Sequence, residues 1–130
     1  MQIGELSRVT GTPVDTIRYY EKIGLLRPAA RTQGNYRRYS SQAIDQLRFV
    51  RRCRRLGISL VQVRQLLEFC SDPERRCDEV NEMLDQHIER LDKQLLDMQS
   101  LARELRQLRA VCRAPGKAAS CRILTSLQRR

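Results

Sequence analysis

Residues 3–26 read IGELSRVTGTPVDTIRYYEKIGLL. Ile3, Leu6 and Val9 share one face of a short helix, which Gly11 ends. Thr12 and Pro13 read as N-cap and first helical position of a second helix. In that helix Val14 and Ile17 turn inward, and Asp15, Arg18, Tyr19 and Lys22 are left outside. Gly24 closes it. Two short helices across a tight turn, the second presenting arginine and tyrosine outward, read as a helix-turn-helix.

Working outward, residues 27–40 read RPAARTQGNYRRYS. Gly34-Asn35 is a hairpin turn signal between short flanks. A small β-wing carrying Arg31, Asn35, Tyr36, Arg37, Arg38 and Tyr39 is expected there. A third helix starts near Ser40 or Ser41 and keeps Ile44, Leu47, Val50, Cys53 and Leu56 at three-residue spacing, until Gly57. Ser59 and Gln62 form a capping box for a fourth helix, which buries Val63, Leu66 and Leu67. Ser71, Asp72 and Pro73 break the chain.

From about 76 to 112 there is neither proline nor glycine. Cys77, Leu84, Leu91, Met98, Leu105 and Cys112 fall seven residues apart, with Ile88, Leu95 and Ala102 in the companion position. Leu101 and Leu108 widen the stripe. A stripe this long on one helix needs a partner helix, and no other segment is long enough, so a second copy of the chain is expected. After a loop over 113–119, Ser120 is placed to cap a last short helix with Ile123, Leu124 and Leu127. The fold expected is mainly α. A winged helix-turn-helix spans residues 1–70, a linker and an antiparallel coiled-coil dimerisation helix 71–112, and a metal-binding loop with a short last helix 113–130.

The formal net charge is +10 over 130 residues. Residues 1–69 hold 13 Lys/Arg against 5 Asp/Glu, and residues 70–130 hold 12 against 10. The basic excess therefore sits in the helix-turn-helix half, as polyanion binding requires. No apolar run approaches the ~18 residues of a membrane span, and the N-terminus lacks a signal-peptide core. Five cysteines, an odd number, with no export signal predict free thiols in a reducing cytoplasm. One histidine on a long helix, far from Cys112 and with no nucleophile–base motif, argues against an enzyme.

On this scaffold Arg18, Tyr19, Lys22 and the wing residues read as a DNA surface. Phosphate contacts would give position and salt dependence, and Arg18 and Tyr19 are the candidates for base edges. Arg52 and Arg55, in RFVRRCRR (48–55), are either phosphate contacts or plain surface. IGELSRVTGTPVDTIRYYEKIGLL followed by RTQGNYRRY (31–39) resembles the winged-helix domain of the MerR family of bacterial transcription regulators, and the resemblance runs on to the C-terminus. It implies a homodimer on a dyad-symmetric operator in an overlong promoter spacer. The effector-bound form would distort double-stranded DNA so that RNA polymerase engages both promoter hexamers. It also maps Arg18, Tyr19, Arg31, Tyr36, Arg37 and Tyr39 onto DNA-contacting positions.

The effector is read from VCRAPGKAASCRIL, residues 111–124. Cys112 and Cys121 bracket a loop centred on Pro115 and Gly116, which can fold one thiol back onto the other. Cys77 lies 35 residues before Cys112, or about 52 Å along a continuous helix, too far to share a ligand within one chain. In an antiparallel pair symmetric about the point between Gln94 and Leu95, Cys77 of one subunit falls beside Cys112 of the other. Each dimer then holds two sites, each with Cys77 from the partner subunit and Cys112 and Cys121 from one chain. Three thiolates suit soft or borderline cations. A divalent ion leaves a charge of about −1, easier to bury than the −2 left by Cu(I) or Ag(I). Cd, Pb, Zn or Hg is therefore expected. The three-cysteine pattern also resembles the cadmium- and lead-responsive subgroup, which favours Cd or Pb and implies activation of metal-resistance genes. His87 reads as a polar seam or surface residue, and Cys53 and Cys70 as structural thiols. The competing reading is a thiol redox sensor in which Cys112 and Cys121 form a disulfide.

Overall fold

The computed structural model describes residues 1–27, 29–31, 37–112 and 115–129. Its helices are α1 (Ile3–Thr10), α2 (Val14–Lys22), α3 (Ser41–Arg55), α4 (Leu60–Cys70), α5 (Asp78–Ala110) and α6 (Arg122–Gln128). Strands β1 (Ala30–Arg31) and β2 (Arg37–Arg38) pair antiparallel, with Ala30 opposite Arg38 and Arg31 opposite Arg37. The chain forms two compact units, Met1–Cys77 and Asp78–Arg130.

In the first unit α1 ends at Gly11, whose N–H donates to the Ser7 carbonyl at 2.8 Å. The buried face of α1 is Leu6 and Thr10. Val9, expected on that face, is exposed. At 3.6 residues per turn position 10 lies only ~40° round from position 6, whereas position 9 lies ~60° away on the other side. Thr10 enters the interior because its hydroxyl donates to the Leu6 carbonyl at 2.8 Å and accepts from the Thr12 N–H at 3.4 Å. Thr12 is itself buried in the turn, and Pro13 rather than Thr12 takes the N-cap position of α2.

Leu6, Ile17, Leu26, Tyr39, Ala43 and Leu47 form one core cluster, and Leu25, Val50, Cys53, Ile58 and Val63 a second. Tyr20 packs against both and joins them. Each fully buried Leu, Ile or Val contributes roughly 1.5–3 kcal/mol of gross burial energy. The residue after β2 is tied back to the chain start, with Tyr39 N–H on the Met1 carbonyl at 2.7 Å and the Met1 amine on the Tyr39 carbonyl at 3.0 Å.

On α3 the buried positions are Ala43, Leu47, Val50 and Cys53. Leu56, expected in that stripe, is 58 % exposed. Strict three-residue spacing drifts about 60° per step, so by Leu56 it has left the buried face. The capping box on α4 forms as expected. Ser59 Oγ accepts from the Gln62 N–H at 3.2 Å, and Gln62 Oε1 from the Ser59 N–H at 3.3 Å.

In the second unit α5 is shorter at both ends than the expected 76–112. Cys77 precedes it and Cys112 follows it. Acidic Asp78 and Glu79 open its first turn, and Arg109 Nη1 donates to the Cys112 carbonyl at 2.7 Å just past its end. Both contacts suit the helix dipole. Leu84, Ile88, Leu91, Leu95, Met98, Leu101 and Leu105 are all exposed in the single chain. Ser120 does not cap α6. It closes a 3₁₀ turn over Ala118–Ser120, its hydroxyl donating to the Lys117 carbonyl at 3.1 Å, and Cys121 takes the N-cap position. No described helix is long and apolar enough to cross a membrane.

Candidate functional site

Helix α2 buries Ile17 completely and leaves Arg18, Tyr19 and Lys22 exposed. Arg18 and Lys22, four residues apart, share one side of the helix. Tyr19 is half exposed and its ring stands 6.3 Å from that of Tyr20, which is turned into the core. Tyr19 is thus anchored through its neighbour in sequence. Arg31 and Arg37 stand opposite each other on β1 and β2. Asn35, Tyr36 and the Gly34-Asn35 turn lie outside the described residues.

Tyr39, expected among the DNA-facing residues, is only 5 % exposed and belongs to the first core cluster. It follows β2 directly and its side chain is counted with Leu6 and Leu47 in that cluster, so it is a core residue rather than an exposed one.

A second basic surface lies on α3. Arg48, Arg51, Arg52, Arg55 and exposed Leu56 line one open depression. Two α3 arginines hold backbone carbonyls, Arg51 that of Thr10 at 2.6 Å and Arg54 that of Ile58 at 2.9 Å. Arg48, Arg52 and Arg55, at spacings of four and three, form the outward stripe.

The thiols divide into three kinds. Cys53 is buried, and burial pushes its pKa up, with Cys70 nearby adding to the rise. Cys70 and Cys77 are exposed. Cys112 and Cys121 are half-buried and line one cavity of about 530 Å³ with Pro115, Gly116, Lys117 and Arg122. The Cys121 pKa is lowered, first by the Leu124 backbone N–H, against partial burial, and further by the Ile123 N–H and the Cys112 thiol. Cys121 stands where an N-cap oxygen would stand, so the opening turn of α6 favours its thiolate. Lys117, on the same cavity, was not singled out from the sequence because its role depends on how the loop folds.

The donor chemistry on this cavity fits a soft metal ion, with two thiols side by side and one of them biased toward thiolate. Among the described residues no three His, Cys, Asp or Glu side chains of one chain gather into a metal cluster. His87, read from sequence as a seam or surface residue, is buried on α5.

A family model described as "MerR HTH family regulatory protein" matches residues 1–70, and one described as "MerR, DNA binding" matches residues 44–108. The chain is 40% identical over 112 residues to heavy metal-dependent transcription regulator 2 of Rhizobium meliloti (strain 1021), covering 86% of this chain and 76% of that protein. It is 34% identical over 129 residues to the HTH-type transcriptional regulator ZntR of Escherichia coli (strain K12), covering 98% of this chain and 92% of that one. The crystal structure of the transcription regulator PbrR691 from Ralstonia metallidurans CH34 in complex with lead(II) matches with a TM-score of 0.89 at 40% identity, covering 98% of each chain.

Proposed function

The chain belongs to the MerR family of helix-turn-helix regulators, and from that premise we propose that it is a homodimeric, metal-responsive activator whose sensor is Cys112 and Cys121 of one subunit with Cys77 of the partner subunit. It is a transcription regulator and not an enzyme. The observation that carries the sensor reading is the shared cavity of Cys112 and Cys121, with Cys121 biased toward thiolate. The heavy-metal dependence of the Rhizobium relative and the lead(II) bound by PbrR691 support the class of effector.

On DNA, α2 enters the major groove with Arg18 and Tyr19 toward base edges and Lys22 on phosphate. Arg31 and Arg37 of the wing, with Asn35 and Tyr36, hold the flanking backbone. Each phosphate neutralised makes affinity fall more steeply with salt. The exposed apolar stripe of α5 is buried against its copy in the dimer, which brings two α2 helices to two half-sites of a dyad-symmetric operator.

Cys112 and Cys121, with Cys77 of the partner subunit, would hold a soft divalent ion, Cd or Pb ahead of Zn or Hg, which would supply metal–sulfur bonding there. The backbone N–H groups that open α6 lower the Cys121 pKa. Lys117 and Arg122 line the same cavity and bring positive charge to it. The 115–121 loop and α6 form the element whose two arrangements the metal biases, because a ligand shifts an equilibrium only through its different affinity for two states. The favoured state distorts the promoter, and RNA polymerase then engages both hexamers.

The test is Pb(II) and Cd(II) titration of Cys77→Ser, Cys112→Ser and Cys121→Ser dimers, followed by thiolate-to-metal absorbance, with in vitro transcription from the chain's own promoter. Each substitution is expected to weaken Pb(II) binding at least tenfold and abolish induction. Wild-type affinity in all three would refute the site. Induction by oxidant without metal would favour the Cys112–Cys121 disulfide reading instead.

A further inference from the structure

Between α4 and α5 lies a seven-residue linker, SDPERRC, residues 71–77, which ends in the proposed ligand Cys77. It is folded back on the helix it leaves. Ser71 Oγ donates to the Leu67 carbonyl at 3.0 Å, the Asp72 N–H to the Phe69 carbonyl at 3.2 Å, and the Arg75 N–H to the Asp72 carbonyl at 3.0 Å. The Arg75 guanidinium lies over the Phe69 ring, 4.0 Å from its centroid. Within the first compact unit this is the side-chain stack that returns the linker to α4, two residues before Cys77. Phe69 is half-buried near the end of α4, and Arg75 is exposed. A planar guanidinium on an aromatic face holds both position and orientation, which a point charge on a flexible stem does less well.

We infer that the Arg75–Phe69 stack is a positioning latch, which holds the linker against α4 so that Cys77 is presented to the partner's thiols from a fixed point on the DNA-binding unit. This rests on the reading of Cys77 as a metal ligand. The stack adds a side-chain hold to the Ser71, Asp72 and Arg75 hydrogen bonds that fold the linker leading to Cys77. Without the stack the thiol samples more positions, and binding pays for that ordering. The same latch makes the linker a firm connection, so a pull on Cys77 is passed to α4 rather than absorbed by slack chain.

The experiment uses the full-length dimer with Phe69→Leu, Phe69→Tyr, Arg75→Gln and the Phe69→Leu/Arg75→Gln double variant, and Cys77→Ser as control. Two readouts are taken, hydrogen exchange of the 69–76 peptide without metal and Pb(II) affinity. Phe69→Leu and Arg75→Gln are each expected to speed exchange and weaken Pb(II) binding about threefold, the scale of one exposed stack. The double variant should lose no more than either single, and Phe69→Tyr, which keeps the ring face, should behave as wild type. Apo-protein affinity for promoter DNA should stay within twofold throughout. Wild-type exchange in Arg75→Gln, or losses that multiply in the double variant, would overturn the latch. If Cys77→Ser keeps its Pb(II) affinity while exchange responds as expected, the stack stands and the sensor reading, with the presentation role, falls. If Cys77→Ser loses Pb(II) while Arg75→Gln keeps it, only the latch falls.

Discussion

Arg51 spans 41 residues of sequence to reach the carbonyl of Thr10, at 2.6 Å, and its guanidinium occupies the space a Cβ on Gly11 would need. Thr10 ends α1, and Gly11, with φ of 69°, turns the chain toward α2. The turn of the helix-turn-helix is therefore held by a side chain of α3 that caps the carbonyl end of α1. Gly11→Ala is expected to cost about 2 kcal/mol, combining a left-handed backbone with the overlap. Arg51→Met should cost about 1 kcal/mol for a partly exposed charged hydrogen bond. Because Arg51→Met clears the space, the double variant should lose less than the sum. Urea unfolding at one protein concentration measures all three, and strictly additive losses would rule out the coupling.

The capping box at Ser59 and Gln62 is a local feature and should behave as one. Ser59→Ala is expected to destabilise by about 1 kcal/mol. With a urea slope of ~2 kcal/mol/M, the midpoint falls by roughly 0.5 M. Pb(II) affinity should not change. An unchanged midpoint would mean that the interaction between Ser59 and Gln62 adds nothing to the hold that Val63 already has on the core.

Much of this was legible in the sequence, and the failures share a cause. Gly11, Gly57 and the Ser59/Gln62 pair act through their own backbone neighbours, so their signals can be read locally. Counting in threes puts Val9 and Leu56 on the buried faces, but that spacing drifts off a 3.6-residue helix, and both are exposed. Tyr39 reads as a DNA-facing residue from its place after the Gly34-Asn35 turn and from the family resemblance, yet its side chain belongs to the core while its backbone pairs with Met1, 38 residues away. The heptad phase of Cys77 and Cys112 was visible, but helix ends depend on capping, and both cysteines fall just outside α5. The Phe69–Arg75 stack left no periodic mark to read.

Thiol chemistry separates the cysteines. The thiolate is the reactive form, so a lowered pKa speeds alkylation at neutral pH and a raised one slows it. Cys121 is lowered by the start of α6, and Cys53 is raised by burial. At pH 7 a short iodoacetamide pulse should label Cys121 several-fold faster than Cys53, as read by peptide mass spectrometry. The labelling rate of each thiol rises with pH through its own pKa, so the rate profile of Cys121 should lie at lower pH than that of Cys53. Pb(II) should protect Cys77, Cys112 and Cys121 and leave exposed Cys70 open. Protection of Cys70 instead of Cys77 would reassign the third ligand.

The direction in which two α5 helices pair decides whether the sensor can exist, and one substitution series reads it. In an antiparallel pair about a dyad, a residue meets its own copy only near the midpoint. If Cys77 meets Cys112 of the partner subunit, that midpoint lies between Gln94 and Leu95. In a parallel pair every seam residue meets its own copy. Leu84 and Leu95 are both exposed on the α5 stripe in the single chain. With Cys77, Cys112 and Cys121 changed to serine, Leu95→Cys should form a disulfide-linked dimer under mild oxidation and Leu84→Cys should not, since its copy stands about 30 Å away along the rod at ~1.5 Å per residue. Non-reducing electrophoresis gives the answer. Cross-linking at both positions would mean the rods lie in the same direction, so that Cys77 could not meet the pair at the far end. Leu95→Asp should then test the seam itself: a charge buried at the dyad beside its own copy is expected to shift the dimer to monomer in sedimentation and to weaken operator binding at least tenfold.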